Sequence, residues 1–154
     1  MSLPQRFAFV VLALSLGATA ACTREPISRV AKYAPYQTAN AAESARVERE
    51  YNDLLHTEDL PDEIRILTNT LPPGVDLFQG ELRVSSQSPV DVAGTFDVTF
   101  RSSQDEVSLV PYMKKLGHAI RADILSIEPH TAPDNKDKIV RVTGYAFRRK
   151  SGKI

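Results

Sequence analysis

The chain has 154 residues, of which 42% are apolar and 25% charged, and its formal net charge is zero. This is the composition of an ordinary globular protein, and it excludes the strongly disordered and fibrous classes. The length is sufficient for one domain together with an N-terminal leader and a tether.

The first 21 residues have the three parts of a secretory signal peptide. A short region with one arginine precedes a ten-residue apolar stretch, Phe7 to Leu16, and residues 17–21 are all small. The apolar stretch is shorter than the roughly 20 residues that a membrane-spanning helix needs. The sequence therefore predicts an exported protein whose leader is removed, and not a permanent transmembrane anchor.

Two cleavage patterns compete at Cys22, the only cysteine. Ala18-Thr19-Ala20 fits the small-x-small pattern of the general signal peptidase, which would leave Ala21 as the first residue. Thr19-Ala20-Ala21-Cys22 resembles the bacterial lipobox, although an aliphatic residue usually stands where Thr19 does. A lone thiol is a liability in an oxidising compartment, and lipidation of the sulfur removes it. We therefore predict a lipoprotein with a lipidated Cys22, and a non-lipidated secreted protein remains the alternative.

Residues 22–40 are predicted to comprise the lipidated cysteine and a flexible tether. This stretch holds two prolines and no periodic apolar face. Thr23, and not an aspartate, follows the cysteine, which favours the outer membrane of a Gram-negative envelope with the domain facing the periplasm. The predicted organisation is a lipoprotein signal peptide (1–21), the anchor and tether (22–40) and a single domain (41–154).

The first half of the domain is predicted to contain one helix and three strands. Asn40 is a suitable N-cap for a helix from Ala41 to about His56, in which apolar residues recur at helical spacing. Period-two alternation of apolar and polar residues then predicts strands, most clearly in the last of three. These strands cover residues 63–68, 77–84 and 90–101.

The second half is predicted to contain one helix and two strands. Ser103 and Glu106 form a capping-box pattern, so a helix begins there or slightly later. Because Pro111 is unfavourable inside a helix, the helix either kinks at Pro111 or begins near Ser108 with the proline in its first turn. Strands are predicted over residues 122–128 and 138–149, with a polar loop between them. The order α-β-β-β-α-β-β is that of a small α+β domain with a mainly antiparallel sheet of about five strands.

Three glycines, Gly80, Gly94 and Gly144, lie on apolar faces in the middle of predicted strands. A strand glycine often marks the close approach of another backbone or of a ligand. The structural interpretation is a helix that packs tightly over a smooth patch. The functional interpretation is a shallow apolar groove for a lipid tail or a peptide.

The C-terminal segment is basic, with seven cations and one acid between Lys136 and Ile154. Arg148, Arg149 and Lys150 are its densest part. One interpretation is a solvated tail, and the other is a contact for anions. Behind a signal peptide the available anions are phospholipid headgroups, lipopolysaccharide, cell-wall polymers or an acidic protein, and nucleic acid is not expected.

No motif for catalysis or for a cofactor is present. His56, His118 and His130 are far apart and lack the spacing of a metal site, so no metal ligands are predicted. Nucleophile elbows and phosphate-binding glycine loops are also absent. We therefore predict a binding, assembly or sensing module that is not an enzyme, with an envelope protein or cell-wall polymer as partner. An envelope enzyme acting on cell-wall or lipid material is the alternative.

One segment resembles a known group of proteins. KKLGHAIRADILSIEP (residues 114–129) followed by IVRVTGYAF (residues 139–147) is similar to a pattern in small bacterial envelope lipoproteins of the RcsF type and relatives with a YbjQ-like fold. The similarity covers about a quarter of the chain. It implies an α+β domain in the cell envelope. RcsF-like domains carry disulfides, which a chain with one cysteine cannot form internally, and no functional residue is carried over.

Overall fold

Seven strands and two helices occupy the part of the chain that the structure describes. The structure is a computed structural model, and it describes residues 28–36, 40–58 and 63–151. It confirms the predicted α+β class and the predicted helix from Ala41. The elements are β1 (Ser28–Pro35), α1 (Ala41–Leu54), β2 (Arg65–Thr68), β3 (Val75–Phe78), β4 (Glu81–Val84), β5 (Val90–Gln104), α2 (Glu106–Ile120), β6 (Ile124–Ala132) and β7 (Asn135–Arg149).

Five strands form one sheet in the order β1-β5-β7-β6-β2, and β3 and β4 form a separate hairpin. Neighbouring strands of the sheet are antiparallel except for β2 and β6, which are parallel. Side chains alternate across each strand, so the sheet has two distinct faces. We call them the helix face, which α1 and α2 cover, and the hairpin face, on which the β3–β4 hairpin packs.

Each face of the sheet has its own hydrophobic core. On the helix face, the fully buried Val98, Leu125 and Val142 pack beneath Leu116 and Ile120 of α2. On the hairpin face, the buried side chains come from both the hairpin and the sheet: Val75, Leu82, Val90, Ile124 and Phe147. The hairpin is therefore held on the sheet by apolar packing, and it shares no ladder of hydrogen bonds with it.

The first strand lies in the stretch predicted to be a tether. Residues 28–35 pair with β5 along its length, from Ser28 opposite Phe100 to Pro35 opposite Gly94. Tyr33 is buried, and its hydroxyl donates to the carbonyl of Ala93 at 2.9 Å. The sheet thus begins at Ser28, and only five residues lie between Cys22 and the first strand.

Residues 77–84, predicted to be one strand, instead contain a tight turn. Gln79 and Gly80 both have positive φ, of 51° and 79°. Two successive residues in this region form the type I′ turn that suits a two-residue hairpin. The alternation across residues 77–84 therefore belongs to two short strands, which pair from Val75 opposite Val84 to Phe78 opposite Glu81.

The second helix begins two residues later than the predicted capping box. Strand β5 continues to Gln104, and Asp105 is the N-cap. Its carboxylate accepts a hydrogen bond from the Ser108 amide at 2.7 Å, and the Ser108 hydroxyl accepts one from the Asp105 amide at 3.0 Å. Pro111 lies inside the helix, beyond its first turn, where a proline removes one intrahelical hydrogen bond.

The predicted polar loop at residues 129–138 is mostly strand. Strand β6 continues to Ala132 and β7 begins at Asn135, so only two residues connect them. Irregular register near His130 and Thr131 bends this hairpin. Such bulges accommodate residues that do not alternate, which explains why the sequence pattern of this stretch is typical of a loop.

Two basic side chains join the helices to each other. Arg46 of α1 donates to both carboxylate oxygens of Glu43 and also to the carbonyl of Ala119, in the last turn of α2. Lys115 of α2 is buried, and its ammonium donates to the carbonyl of Thr57 at 2.7 Å. Cations near the C-terminal ends of helices are electrostatically favourable, so both contacts stabilise the pair.

Candidate binding site on the hairpin face

A cavity of about 810 Å³ lies between the β3–β4 hairpin and the hairpin face of the sheet. Its volume falls in the range of small-molecule sites, roughly 300–1,000 Å³. The chain after β2 and the first strand of the hairpin form one wall. The residues of this wall are Asn69, Thr70, Leu71, Val75, Asp76 and Leu77.

The floor of the cavity is a row of hydroxyl-bearing side chains on three adjacent strands. Thr95 of β5 and Ser126 of β6 both stand opposite Tyr145 of β7. Thr143 lies two residues before Tyr145 on β7 and therefore on the same face of the sheet. Because residues directly opposite on neighbouring strands share a face, these hydroxyl groups are presented together to the cavity.

One hydroxyl of this floor fixes the wall. The nearly buried Ser126 donates a hydrogen bond from its Oγ to the carbonyl of Thr70. This contact ties the segment after β2 to the sheet. The wall is therefore anchored at both ends, by Ser126 at Thr70 and by the buried Val75 in the hairpin core.

Two exposed carboxylates, Asp76 and Glu128, also line the cavity, whereas no lysine or arginine does. Within residues 63–151 no ion pair is seen for either carboxylate. A site with hydroxyl groups, an aromatic ring and free negative charge is chemically suited to a ligand that carries hydroxyl or amide groups and a cation.

A charged pair borders the cavity on the side of β1. The guanidinium of Arg141 donates to both carboxylate oxygens of Asp97, at 2.8 and 2.6 Å. Hydrogen bonding from Arg141 holds the pKa of Asp97 below its ordinary value. Asp97 is therefore ionised at neutral pH and already has a partner, so it is less available to a ligand than Asp76 or Glu128.

A histidine contacts a hydroxyl of the floor. Nε2 of His130 lies 2.8 Å from Oγ1 of Thr143, within hydrogen-bonding distance. A hydroxyl beside a histidine is the beginning of a nucleophile–base arrangement, which also needs a group to orient the ring. For the second ring nitrogen, no hydrogen bond is seen in the described part of the chain. The pair fixes the orientation of Thr143.

The three glycines predicted to form an apolar groove do not lie together. Gly80 is in the hairpin turn, with open space around it. A Cβ on Gly94 would overlap the ring of Tyr33, and a Cβ on Gly144 would lie 2.8 Å from the ring of Phe96. Aromatic rings therefore fill the space at the two strand glycines, and the predicted groove is not formed.

The predicted anion-contact residues have separate roles. Arg148 donates to the carbonyls of Ile120 and Arg121 and so covers the C-terminus of α2. The ammonium of Lys150 lies 3.7 Å from Asp91. The exposed Arg149 forms no side-chain contact that is seen within the described residues, and its guanidinium is the one free charge of the three.

The predicted lipidation site, Cys22, lies outside the described residues. His56, just after α1, and His118 of α2 are both exposed, and the sequence predicts no metal-binding role for either. Over residues 28–36, 40–58 and 63–151 there is no metal-binding group of three or more His, Cys, Asp or Glu side chains. No helix in the same ranges has the length and apolar character to cross a bilayer.

A second cavity, of about 500 Å³, lies on the helix side at the edge of the sheet. We call it the edge groove. It runs between the first half of α2 and the strands β2 and β6, and its lining is mainly apolar. The lining residues include Ile66, Val107, Val110, Pro111, Met113 and Pro129.

The fold and the first cavity define a small α+β domain with a mixed-polarity cavity over a mainly antiparallel sheet. No family model, no curated protein and no solved structure matches the chain. Its function is therefore inferred from its own residues.

Sequence reasoning missed both cavities. The clearest available indication was the polar side of β5, where Thr95 and Asp97 alternate with apolar residues. That pattern shows a polar face, but it does not show that a hairpin from residues 75–84 overhangs that face. The contact of His130 with Thr143 was also missed, because His130 was assigned to a loop.

Proposed function

We propose that this protein is a lipid-anchored lipoprotein of the bacterial envelope and that it acts as a binding module. The cavity on the hairpin face is the observation that carries the binding role. The anchor is supported by the apolar leader and the lipobox-like residues that end at Cys22. The similarity to RcsF-type lipoproteins supports the location, with the outer membrane as the site of anchoring and the domain in the periplasm.

The cavity favours a cell-wall fragment as its ligand. Thr95, Thr143 and Tyr145 offer hydroxyl groups, and Asp76 and Glu128 offer negative charge without a competing cation in the lining. A muropeptide that carries sugar hydroxyls, amides and a free ammonium group has the complementary chemistry.

Binding fits the cavity better than catalysis does. Asp76 and Glu128 line a cavity that is open to solvent, and the His130–Thr143 pair has no orienting group in the described structure. A nucleophile–base pair needs such a group to hold the histidine ring in place. We therefore place the envelope enzyme second, without assigning it a reaction.

The N-terminal peptide of protein isolated from the host's membranes is expected to begin at Cys22 and to carry acyl mass. Mass spectrometry of that peptide is the direct measurement. In the Cys22→Ser variant the sulfur that accepts the lipid is missing, so the protein should move from the membrane to the soluble fraction. A peptide that begins at Ala21 without added mass would contradict the anchor and favour the secreted alternative.

Thr19→Leu is the matched control for this experiment. It restores the aliphatic residue that lipoboxes usually carry and leaves the cysteine unchanged. Acylation should be retained or more complete in this variant. Equal loss of acylation in both variants would show that the leader is processed by another route.

Soluble muropeptides with a free amine are expected to bind in the cavity and to shift the backbone amide resonances of Thr95, Thr143 and Tyr145. Replacing both carboxylates, in Asp76→Asn/Glu128→Gln, should weaken this binding by roughly tenfold, because a charge-assisted hydrogen bond contributes about 1.5–3 kcal/mol and these groups are exposed. Titration followed by NMR measures both effects.

Asp53→Asn is the control for charge, since Asp53 is exposed on α1 and lies on the helix side of the sheet. It should leave muropeptide affinity unchanged. Muropeptides whose amine has been acetylated should bind the native protein as weakly as free muropeptides bind the double variant. An absence of resonance shifts up to millimolar concentration would contradict the cell-wall ligand.

A further inference from the structure

The N-terminal strand leaves the domain at one defined end, which we call the tethered end. Ser28 stands opposite Phe100, near the C-terminal end of β5. Strand β6 runs parallel to β5, so its last residues, Pro129 to Ala132, lie at the same end. Helix α2 follows β5 directly, and its first turn therefore begins there as well.

The chain between Cys22 and this end is short. Six Cα–Cα steps separate Cys22 from Ser28, and a fully extended chain covers at most about 3.5 Å per step, or roughly 20 Å. An acylated Cys22 therefore keeps the tethered end close to the lipid surface. Across this end of the sheet, four strand spacings separate β1 from β2, a distance of roughly 19 Å.

Two exposed apolar side chains of α2 lie at this end. Val107 is 83% exposed and Val110 is 39% exposed, and both line the edge groove beside Pro111. Only four large hydrophobic residues are exposed in the described structure, and the other two, Leu77 and Phe78, lie on the hairpin. Two of these four side chains therefore lie at the end from which the tether leaves.

The charges at the two ends of the sheet differ. Exposed residues of both signs surround the first turn of α2 and the β6–β7 turn: Asp105, Glu106, Asp134, Asp137, Arg101, Lys136 and Lys138. The basic group at Arg148 to Lys150 lies at the opposite end, because Arg149 stands opposite Val90. The charged side chains at the tethered end are four acidic and three basic ones, so this end has no excess of positive charge that would require anionic headgroups.

We propose that the edge groove and Val107 rest in the surface of the bilayer that holds the acyl chains of Cys22, so that the domain stands on the membrane by its tethered end. This inference rests on the proposed lipid anchor. Apolar side chains of interfacial helices enter the boundary between headgroups and acyl chains by about 5–10 Å. The cavity on the hairpin face then opens along the membrane plane, and Arg149 points toward the periplasm.

Depth-dependent quenching in lipid vesicles tests this orientation. Full-length acylated Val107→Cys protein contains one free thiol, since Cys22 is blocked by its lipid, and a bimane label at that thiol reports its surroundings. Neutral phosphatidylcholine vesicles with spin-labelled acyl chains serve as the probe. The matched control is Gln87→Cys, an exposed position in the turn before β5 and thus at the opposite end.

The label at position 107 is expected to be quenched several-fold more than the label at position 87, and equally at low and high salt. Equal, weak quenching at both positions in protein whose N-terminal peptide carries acyl mass would overturn the inference and leave the anchor intact. A label at position 107 that is shielded from water but not quenched by lipid would show a protein partner or a second copy, and would also overturn it. Absence of acyl mass is a failure of the proposed function and is detected separately.

Discussion

Replacing Gly144 with alanine is expected to lower the free energy of unfolding by about 3 kcal/mol. Gly144 lies in β7, the central strand of the sheet, where it faces the helices. An added Cβ would overlap the carbonyl oxygen of Ser126 and would lie 2.8 Å from the ring of Phe96. The carbonyl belongs to the backbone of β6 and cannot move without disturbing the ladder.

Urea unfolding followed by circular dichroism measures this loss. Gly80→Ala is the matched control, because its Cβ would meet nothing within 4 Å while its φ of 79° remains unfavourable for alanine. The unfavourable backbone conformation alone should lower the free energy of unfolding of Gly80→Ala by about 1–2 kcal/mol. A Gly144→Ala variant as stable as the native protein would show that β6 and β7 lie further apart than described.

Truncating Phe147 to alanine is expected to lower the free energy of unfolding by about 3–5 kcal/mol. The ring is fully buried beneath the β3–β4 hairpin, in contact with the cluster that includes Val75 and Leu82. Since no ladder of hydrogen bonds joins the hairpin to the sheet, this apolar cluster is the main attachment of the hairpin. The variant should therefore also loosen the wall of the cavity.

Amide hydrogen exchange separates the local effect from the global one. In Phe147→Ala, exchange in β3 and β4 should accelerate more than exchange in β5 or β7. Leu77→Ala is the control, because Leu77 belongs to the same hairpin but is 51% exposed and should change stability by less than about 1 kcal/mol. Uniform acceleration throughout the sheet would contradict an independent hairpin.

The sequence predicted most of the elements because their signals are local. Alternation along residues 90–101 and helical spacing after Asn40 depend only on which side of the backbone faces a core. The N-cap geometry of Asn40 follows from side chains within one turn, and its contact with the Glu43 amide at 3.1 Å is as expected. Element ends were less accurate, since β5 and β6 continue beyond their predicted limits.

Features that depend on distant partners could not be predicted. The pattern of residues 28–35 is not that of a strand, and pairing with β5 determines its conformation. A run of alternating residues at 77–84 is compatible with one strand or with a hairpin, and positive φ at Gln79 decided between them. The cavity requires both the hairpin and the sheet, so no single segment of sequence contains it.

The position of β1 at the edge of the sheet affects the order in which this protein is assembled. Its only strand neighbour is β5, and the Tyr33 hydroxyl bonds to a carbonyl 60 residues further along the chain. This pairing closes a long loop, and it cannot form before β5 has been synthesised. The edge of the sheet at residues 28–35 is therefore completed only after a strand that comes some 60 residues later in the chain.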